Sequence, residues 1–460
     1  MAKRKKSPVN APGLDVLEQI NLHAAGLDIG SEEIYACVPR ERDEQSVRVF
    51  PTFTVDLHAL AEWLAACQIE TVAMESTGVY WIPVYEILES RGFEVYLVNA
   101  RHVKNVPGRK TDILDCQWIQ QLHTYGLLRA SFRPPEEICA LRALARHRDN
   151  LIRYRSAHIQ HMQKALQLMN VKLTEVVSDI TGVTGLSIIR AIVAGERNPH
   201  KLAGFRQPGC ARSEKEIAKA LQGNYKLEHL FVLKQALAQY DFYQQQIQEC
   251  DAEMEAMYAA LPPSDPDDQG SPAPKPKKSK PRKNQAHFDL ATSLYRVVGV
   301  DLTAIDGIDA LTAHAIVTEI GTDVSAWPTV KHFASWLGLA PHIDKTGGKV
   351  IRTRTKKTKN RATLAFRLAA QSLSRSQSAV GAFYRRMRAK DGPAVAITAT
   401  AHKLARIVYF MLKNRTAYQD PGVTHYEQQY RDRTIRNLRR KAAILGMELV
   451  PIPAQPATVS

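Results

Sequence analysis

No two cysteines of this sequence stand at CxxC spacing, and no secretory-type apolar segment follows its basic start, MAKRKKSPVN. The six cysteines (Cys37, Cys67, Cys116, Cys139, Cys210 and Cys250) are widely separated, which argues against a zinc ribbon and against a disulfide framework. They read as reduced thiols of a cytosolic protein. No apolar run reads as long enough to span a membrane, so no membrane partner is expected. Acid is also scarce relative to base: 46 Asp and Glu oppose 62 Lys and Arg, a formal charge of +16. A polyanionic partner is the simplest reason for such self-repulsion, and nucleic acid is the commonest one. A merely soluble basic protein is the plainer account of the same charge.

With 460 residues, 45% of them hydrophobic and 23% charged, the chain has the make-up of a globular protein of two or three domains. From about Ala24 to Ser131 strand-like and helix-like pieces alternate. AAGLDIG and EEIYACVPR read as two strands joined by a turn at Gly30, and VRVFPTFT as a third. Leu57 to Cys67 has helical spacing, TVAMES is a buried strand, YWIPVYEILESRG is a helix stopped by Gly92, and FEVYLVNA is a fifth strand. A last helix runs from Asp112 towards Tyr125. Three consecutive strands followed by helix, strand, helix, strand and helix is the order of a ribonuclease-H-like domain. A doubly wound nucleotide-binding fold would alternate from its first strand.

The expected organisation is a basic disordered arm over 1–20, this mixed-sheet domain over 21–135, and an almost wholly helical region over 136–260. The long amphipathic stretches of that helical region suggest a stalk or antiparallel coiled coil, which serves either an intramolecular core or dimerisation. A flexible basic linker is expected over 261–286, a second folded region over 287–449 and a disordered tail over 450–460.

Four acidic residues stand out. Asp28 lies in the first strand, Glu75 ends the fourth, and Asp112 and Asp115 stand three apart at the start of the last helix, on one face. In the expected topology all four converge. Such a cluster is unfavourable without a cation, and its hard oxygen ligands suit Mg²⁺, or Mn²⁺. Two such ions activate an attacking oxygen and stabilise the leaving oxygen of a phosphodiester. Helix-start carboxylates at Asp112 and Asp115, and a turn cap at Asp28, are the plainer accounts of each taken alone. Burying an unpaired acid within GLDIG or VAMES is costly, so jointly metal binding is favoured.

In the C-terminal part, Ala304 to Gly321 reads as helix, Gly-containing turn, helix, a helix-hairpin-helix-like element whose exposed N–H groups can hold a phosphate. An ordinary helical hairpin gives a similar pattern. Lys345, Lys349, Arg352, Arg354, Lys356, Lys357, Lys359 and Arg361 then follow with no acid among them, a set suited to phosphate contact. Gly347 and Gly348 allow the backbone close to a phosphate, and Thr346 beside them has the setting of a hydroxyl nucleophile.

The pieces LDIGS, AMESTGVYWIPVYEIL, VNARHVKNVPGRKTDILDCQWIQQLHTYGLL, FASWLGLAP through TGGK, and ITATAHKLARIVYFMLKN resemble the DEDD-type transposases of the insertion-sequence family called "one-ten", the bridge-RNA-guided serine recombinases. The resemblance implies a RuvC-like domain with Asp28, Glu75, Asp112 and Asp115 as its DEDD residues, a coiled-coil region, and a mainly helical C-terminal transposase domain carrying the nucleophile. It implies a structured noncoding guide (bridge) RNA, donor and target double-stranded DNA, and a homo-oligomer, dimer or tetramer, in which one protomer's DEDD site is completed by another's serine. It also implies work in the bacterial cytoplasm, at the nucleoid.

At the key position relatives read Ser-Gly-Gly-Lys, whereas this chain has Thr346 before Gly347, Gly348 and Lys349. The added methyl restricts χ1 and crowds in-line attack. A slower threonine nucleophile is the first choice; a weakened variant that only binds RNA and DNA, or another hydroxyl such as Ser335 in a packed helix, are the others. A hydrolytic, junction-resolvase-like nuclease is the rival activity, since it needs the carboxylates but no hydroxyl.

Overall fold

The computed structural model describes residues 18–76, 78–99, 112–264 and 283–450. Residues 1–17 of the expected arm over 1–20, the centre of the expected linker (265–282) and residues 451–460 of the expected tail over 450–460 lie outside the described residues. Two compact units divide the chain, Met1–Arg133 and Pro134–Ser460.

In the first unit, β1 (Ala24–Ile29), β2 (Glu33–Cys37) and β3 (Val47–Pro51) form an antiparallel meander, and β4 (Thr71–Glu75) and β5 (Glu94–Val98) add in parallel beside β1. The sheet order is β3-β2-β1-β4-β5. Among the described residues, helices α1 (Thr54–Ala66), α2 (Trp81–Ser90) and α3 (Asp112–Thr124) accompany the sheet. Side chains of a strand alternate between faces, and here that alternation divides two cores. Leu27, Ile29, Val72 and Met74 pack with Leu60 and Leu64 of α1 and Leu88 of α2. Ala73 and Val98 pack with Ile119 and Leu122 of α3. This mixed five-stranded sheet with its helices is the α/β arrangement that the sequence pattern called for.

β1 has a glycine where α3 crosses it. A Cβ on Gly26 would lie 2.2 Å from the Gln120 nitrogen and 2.5 Å from the Cys116 oxygen. Only glycine lets the helix backbone lie directly on the strand, and this contact sets the spacing of everything further along both elements.

The second unit is almost entirely helical. Helices α4 (Glu136–Leu168) and α6 (Leu227–Ala260) run antiparallel, with α5 (Val183–Val193) among the shorter helices between them. Arg148 on α4 reaches Asp251 on α6, Nη2 to Oδ2 at 3.2 Å, and seven residues on Arg155 reaches Gln244, which fixes the opposed direction. Both members of the Arg148–Asp251 pair are buried. The linker's last residues return to this pair. Arg148 donates to the carbonyls of Asn284 and Gln285 at 3.1 and 3.0 Å, and Lys283 meets Asp179 at 2.9 Å.

A bundle follows: α7 (Leu290–Val298), α8 (Ala310–Ile320), α9 (Val330–Trp336), the hairpin β6 (Pro341–Thr346) with β7 (Lys349–Thr355), α10 (Arg361–Ser372), α11 (Ala379–Asp391), α12 (Pro393–Asn414) and α13 (Gly422–Ile444). The span Ala304 to Gly321 holds one α-helix rather than two. Before it stands only a 3-10 turn, Leu302–Ala304, too short to count as a first hairpin helix: the backbone is already extended at Ile305 (ψ 124°), and Gly307 at φ +88° turns the chain beyond it. The expectation about apolar runs also needs correction, since α12 is long and apolar enough to cross a membrane by length and composition. Its Ala396, Ala401, Leu404, Ala405, Val408 and Leu412 are buried against neighbouring helices, which accounts for that composition as the core of a bundle.

Candidate active site

Asp28 is two residues beyond Gly26 on the same face of β1, the face covered by α3. Two strand residues advance about 6.6 Å. Four helical residues, from Cys116 back to Asp112, retreat about 6 Å. Strand and helix run in opposite senses here, so Asp28 meets the first turn of α3. Carboxylate oxygens of Asp28, Asp112 and Asp115 all lie within 4.8 Å of one another. Glu75 is not of this close set. It ends β4, hydrogen-bonded neighbour of β1, and its charge still acts on Asp28.

The electrostatics record the crowding. Burial first, then Asp115, Asp112 and Glu75, push the Asp28 carboxyl from 3.8 up to about 6, against a lowering hydrogen bond from the Ile29 N–H. An all-oxygen set with this much mutual repulsion fits a hard divalent cation, which would relieve the repulsion and accept the oxygens as ligands.

Two supporting groups escaped the sequence reading. Tyr35 is the cross-strand partner of Asp28, and its hydroxyl donates to Glu33 at 2.9 Å. His123, on α3, is fully buried with Nε2 2.8 Å from the Thr71 hydroxyl. Thr71 also reaches the Glu94 carbonyl at 3.1 Å, and the His123–Thr71 hydrogen bond ties α3 to β4. A helical His near a strand Thr gives no signal in sequence.

Thr346 lies in the second unit, at the last position of β6 and paired in register with Lys349 across the turn. Gly347 and Gly348 occupy that turn at φ +55° and +77°, both left-handed, as a two-residue hairpin turn of this kind requires. Thr346, Lys345, Gly347, Gly348, Lys349 and Arg354 are exposed, as are Lys356, Lys357 and Lys359 beyond the hairpin. Ile343, Val350 and Ile351 are exposed too. A two-stranded ribbon with both faces uncovered is marginal by itself, which suits an element that settles against a partner. The basic run is less free of acid than its sequence suggests. Arg352 pairs with Asp344 at 3.2 Å across the hairpin, and Arg361 with Asp149 at 3.0 Å. Ser335 sits on α9 beside buried Phe333 and Ala334, and is itself exposed.

The mixed five-stranded sheet with its helices fits an α/β domain of the ribonuclease-H/RuvC-like class, and residues 25–171, which contain it, match a family model of the IS110 DEDD type described as "Transposase". Residues 301–385, which contain the hairpin, match the model described as "Transposase IS116/IS110/IS902 family". The chain belongs to the IS110-type transposases, and is an enzyme acting on DNA in transposition. No curated protein matches it.

Proposed function

We propose that this chain is a Mg²⁺-dependent, RNA-guided recombinase that cuts and rejoins donor and target DNA through a covalent link to Thr346. The observation that carries the reading is the approach of Asp28, Asp112 and Asp115 to within 4.8 Å. These three, with Glu75, would hold the divalent ion, which when bound supplies charge stabilisation at the scissile phosphate.

The chain's own groups have the following parts. The Thr346 Oγ1 forms a bond to phosphorus as the bond from phosphorus to a sugar oxygen breaks. The threonine proton is released, and the departing sugar oxygen takes one up. One phosphoester replaces another, so attack by a sugar hydroxyl of the exchanging strand reverses the step and rejoins the DNA. Lys349, Arg354 and Lys345 would steady the non-bridging oxygens, with Arg352 available once it leaves Asp344. Lys356, Lys357, Lys359 and Arg361 would extend the contact along the backbone. Guidance by RNA, and completion of one protomer's carboxylate site by another's hydroxyl in a dimer or tetramer, belong to the same reading, and the likeness to the bridge-RNA-guided recombinases supports them.

The test is denaturing electrophoresis of labelled target and donor duplexes after incubation with the element's flanking RNA and Mg²⁺. Wild type should leave a covalent protein–DNA band that disappears in Thr346→Ala and strengthens in Thr346→Ser. Cleaved DNA without any adduct would establish the hydrolytic nuclease instead. Cleavage that appears only with serine would make the natural chain a binding-only variant.

A further inference from the structure

Among the described helices, α13 is the one long helix without a buried residue. It packs on α11 and touches α12, and from Arg436 to Lys441 every residue is exposed. Its second half carries Arg431, Arg433, Arg436, Arg439, Arg440 and Lys441 against a single acid, Asp432. At about 1.5 Å per residue, a helix of this length runs on the order of one turn of duplex DNA.

Where α13 meets α11 and α12, cations gather around aromatic rings. The Arg386 guanidinium lies 3.8 Å from the Tyr430 ring centre and 5.1 Å from that of Tyr426. The Lys403 ammonium lies 5.1 Å from Tyr426 and 4.8 Å from Phe383. Burial, then Arg386, Arg433 and Arg406, hold Lys403 below its ordinary pKa, with Asp420 alone opposing. Asp420 is already engaged, its Oδ1 accepting from the Ala379 N–H at 3.0 Å and the Tyr418 hydroxyl at 3.3 Å. Among the described residues none of Arg386, Lys403, Arg406 and Arg433 is ion-paired. A purely structural helix junction would place carboxylates among such charges; this one leaves them for an anion.

We propose that α11, α12 and α13 form a second duplex-DNA contact, with Arg386, Lys403 and Arg433 seating phosphates at the junction and the arginine-rich half of α13 following the major groove. The proposal rests on the chain's action on DNA, and adds a surface far in sequence from the hairpin. Duplex DNA is favoured over RNA by shape: a helix fits the roughly 12 Å major groove of B-form DNA, and the deep, narrow groove of A-form RNA excludes it.

The test is anisotropy of a fluorescein-labelled DNA duplex several turns long, and of an RNA hairpin with the same stem sequence, titrated with full-length protein over a salt series. The combined variant Arg433→Gln, Arg436→Gln, Arg439→Gln alters surface positions only and should keep the wild-type melting temperature. It should weaken duplex binding about tenfold or more, and lower the slope of log affinity against log salt by about 0.9 for each phosphate no longer neutralised. Lys403→Gln with Arg386→Gln should act in the same direction. An unchanged slope and affinity for the duplex overturns the proposal, as does a loss confined to the RNA hairpin, or a change of oligomeric state with duplex affinity intact. Cleavage measured in parallel separates the two readings: wild type that binds as described but never cuts defeats the recombinase and leaves this surface standing.

Discussion

Asp28 is held where its charge is least welcome, on a strand face between two helix-borne aspartates. Asp28→Asn removes that repulsion at nearly constant shape. It should therefore stabilise the metal-free chain by about 1–2 kcal/mol, after discounting the upward shift to about 6 for partial exposure. The same variant should lose strand cleavage altogether and no longer gain melting temperature from Mg²⁺; a thermal-shift series with and without the ion checks both. His123 and His314 carry the opposite liability. Burial lowers each to about 4. Among the described residues His123 Nδ1 and His314 Nε2 have no hydrogen-bond partner, and His314 Nδ1 lies 2.7 Å from the Tyr258 hydroxyl. The folded pKa lies below the unfolded value near 6.5, so the folded chain binds fewer protons in that window. Stability is intact above about pH 6.5 and falls by about 3 kcal/mol per histidine as pH drops to about 4. Melting temperatures between those limits should decline, and less steeply in His123→Gln.

At the scale of elements, the hairpin is exposed on both faces, so its shape and the stability of the bundle separate. Gly348→Val puts a β-branched residue at φ +77°. The covalent adduct should be lost while the melting temperature stays within about 1 °C of wild type, because so little is packed against the ribbon. The first unit's elements were legible because period-two and helical apolar spacing are local signals, and the acids in β1 and β4 stood out against apolar neighbours. The hairpin was read only as a basic run with two glycines. Its strands lack a buried face, and alternation leaves no mark when nothing is buried. The Arg386–Lys403 junction had no signal at all, since it joins rings and cations from three helices whose approach depends on tertiary packing. The single helix within Ala304 to Gly321 shows the reverse error: a glycine between apolar turns marks a bend, but does not reveal how much helix precedes it.

For the whole molecule, the carboxylates belong to one compact unit and Thr346 to the other. If the active centre is shared between protomers, Asp28→Asn and Thr346→Ala proteins, each inactive alone, should regain a fraction of wild-type cutting when mixed. Mixtures that stay inactive at every ratio would confine the centre to one protomer. The return of the chain at Lys283 has a further consequence. Ser264 donates its N–H to the Arg296 carbonyl at 2.9 Å, and residues 283–287 are gripped by Arg148, Arg155, Asp179 and Asp251. Ser264 and residues 283–287 are each moored on their own, so assembly should survive a break in the chain between them. Two polypeptides, one ending at Ser264 and one beginning at Lys283, would find each other when co-expressed, giving a transposase that can be switched on by supplying its missing half.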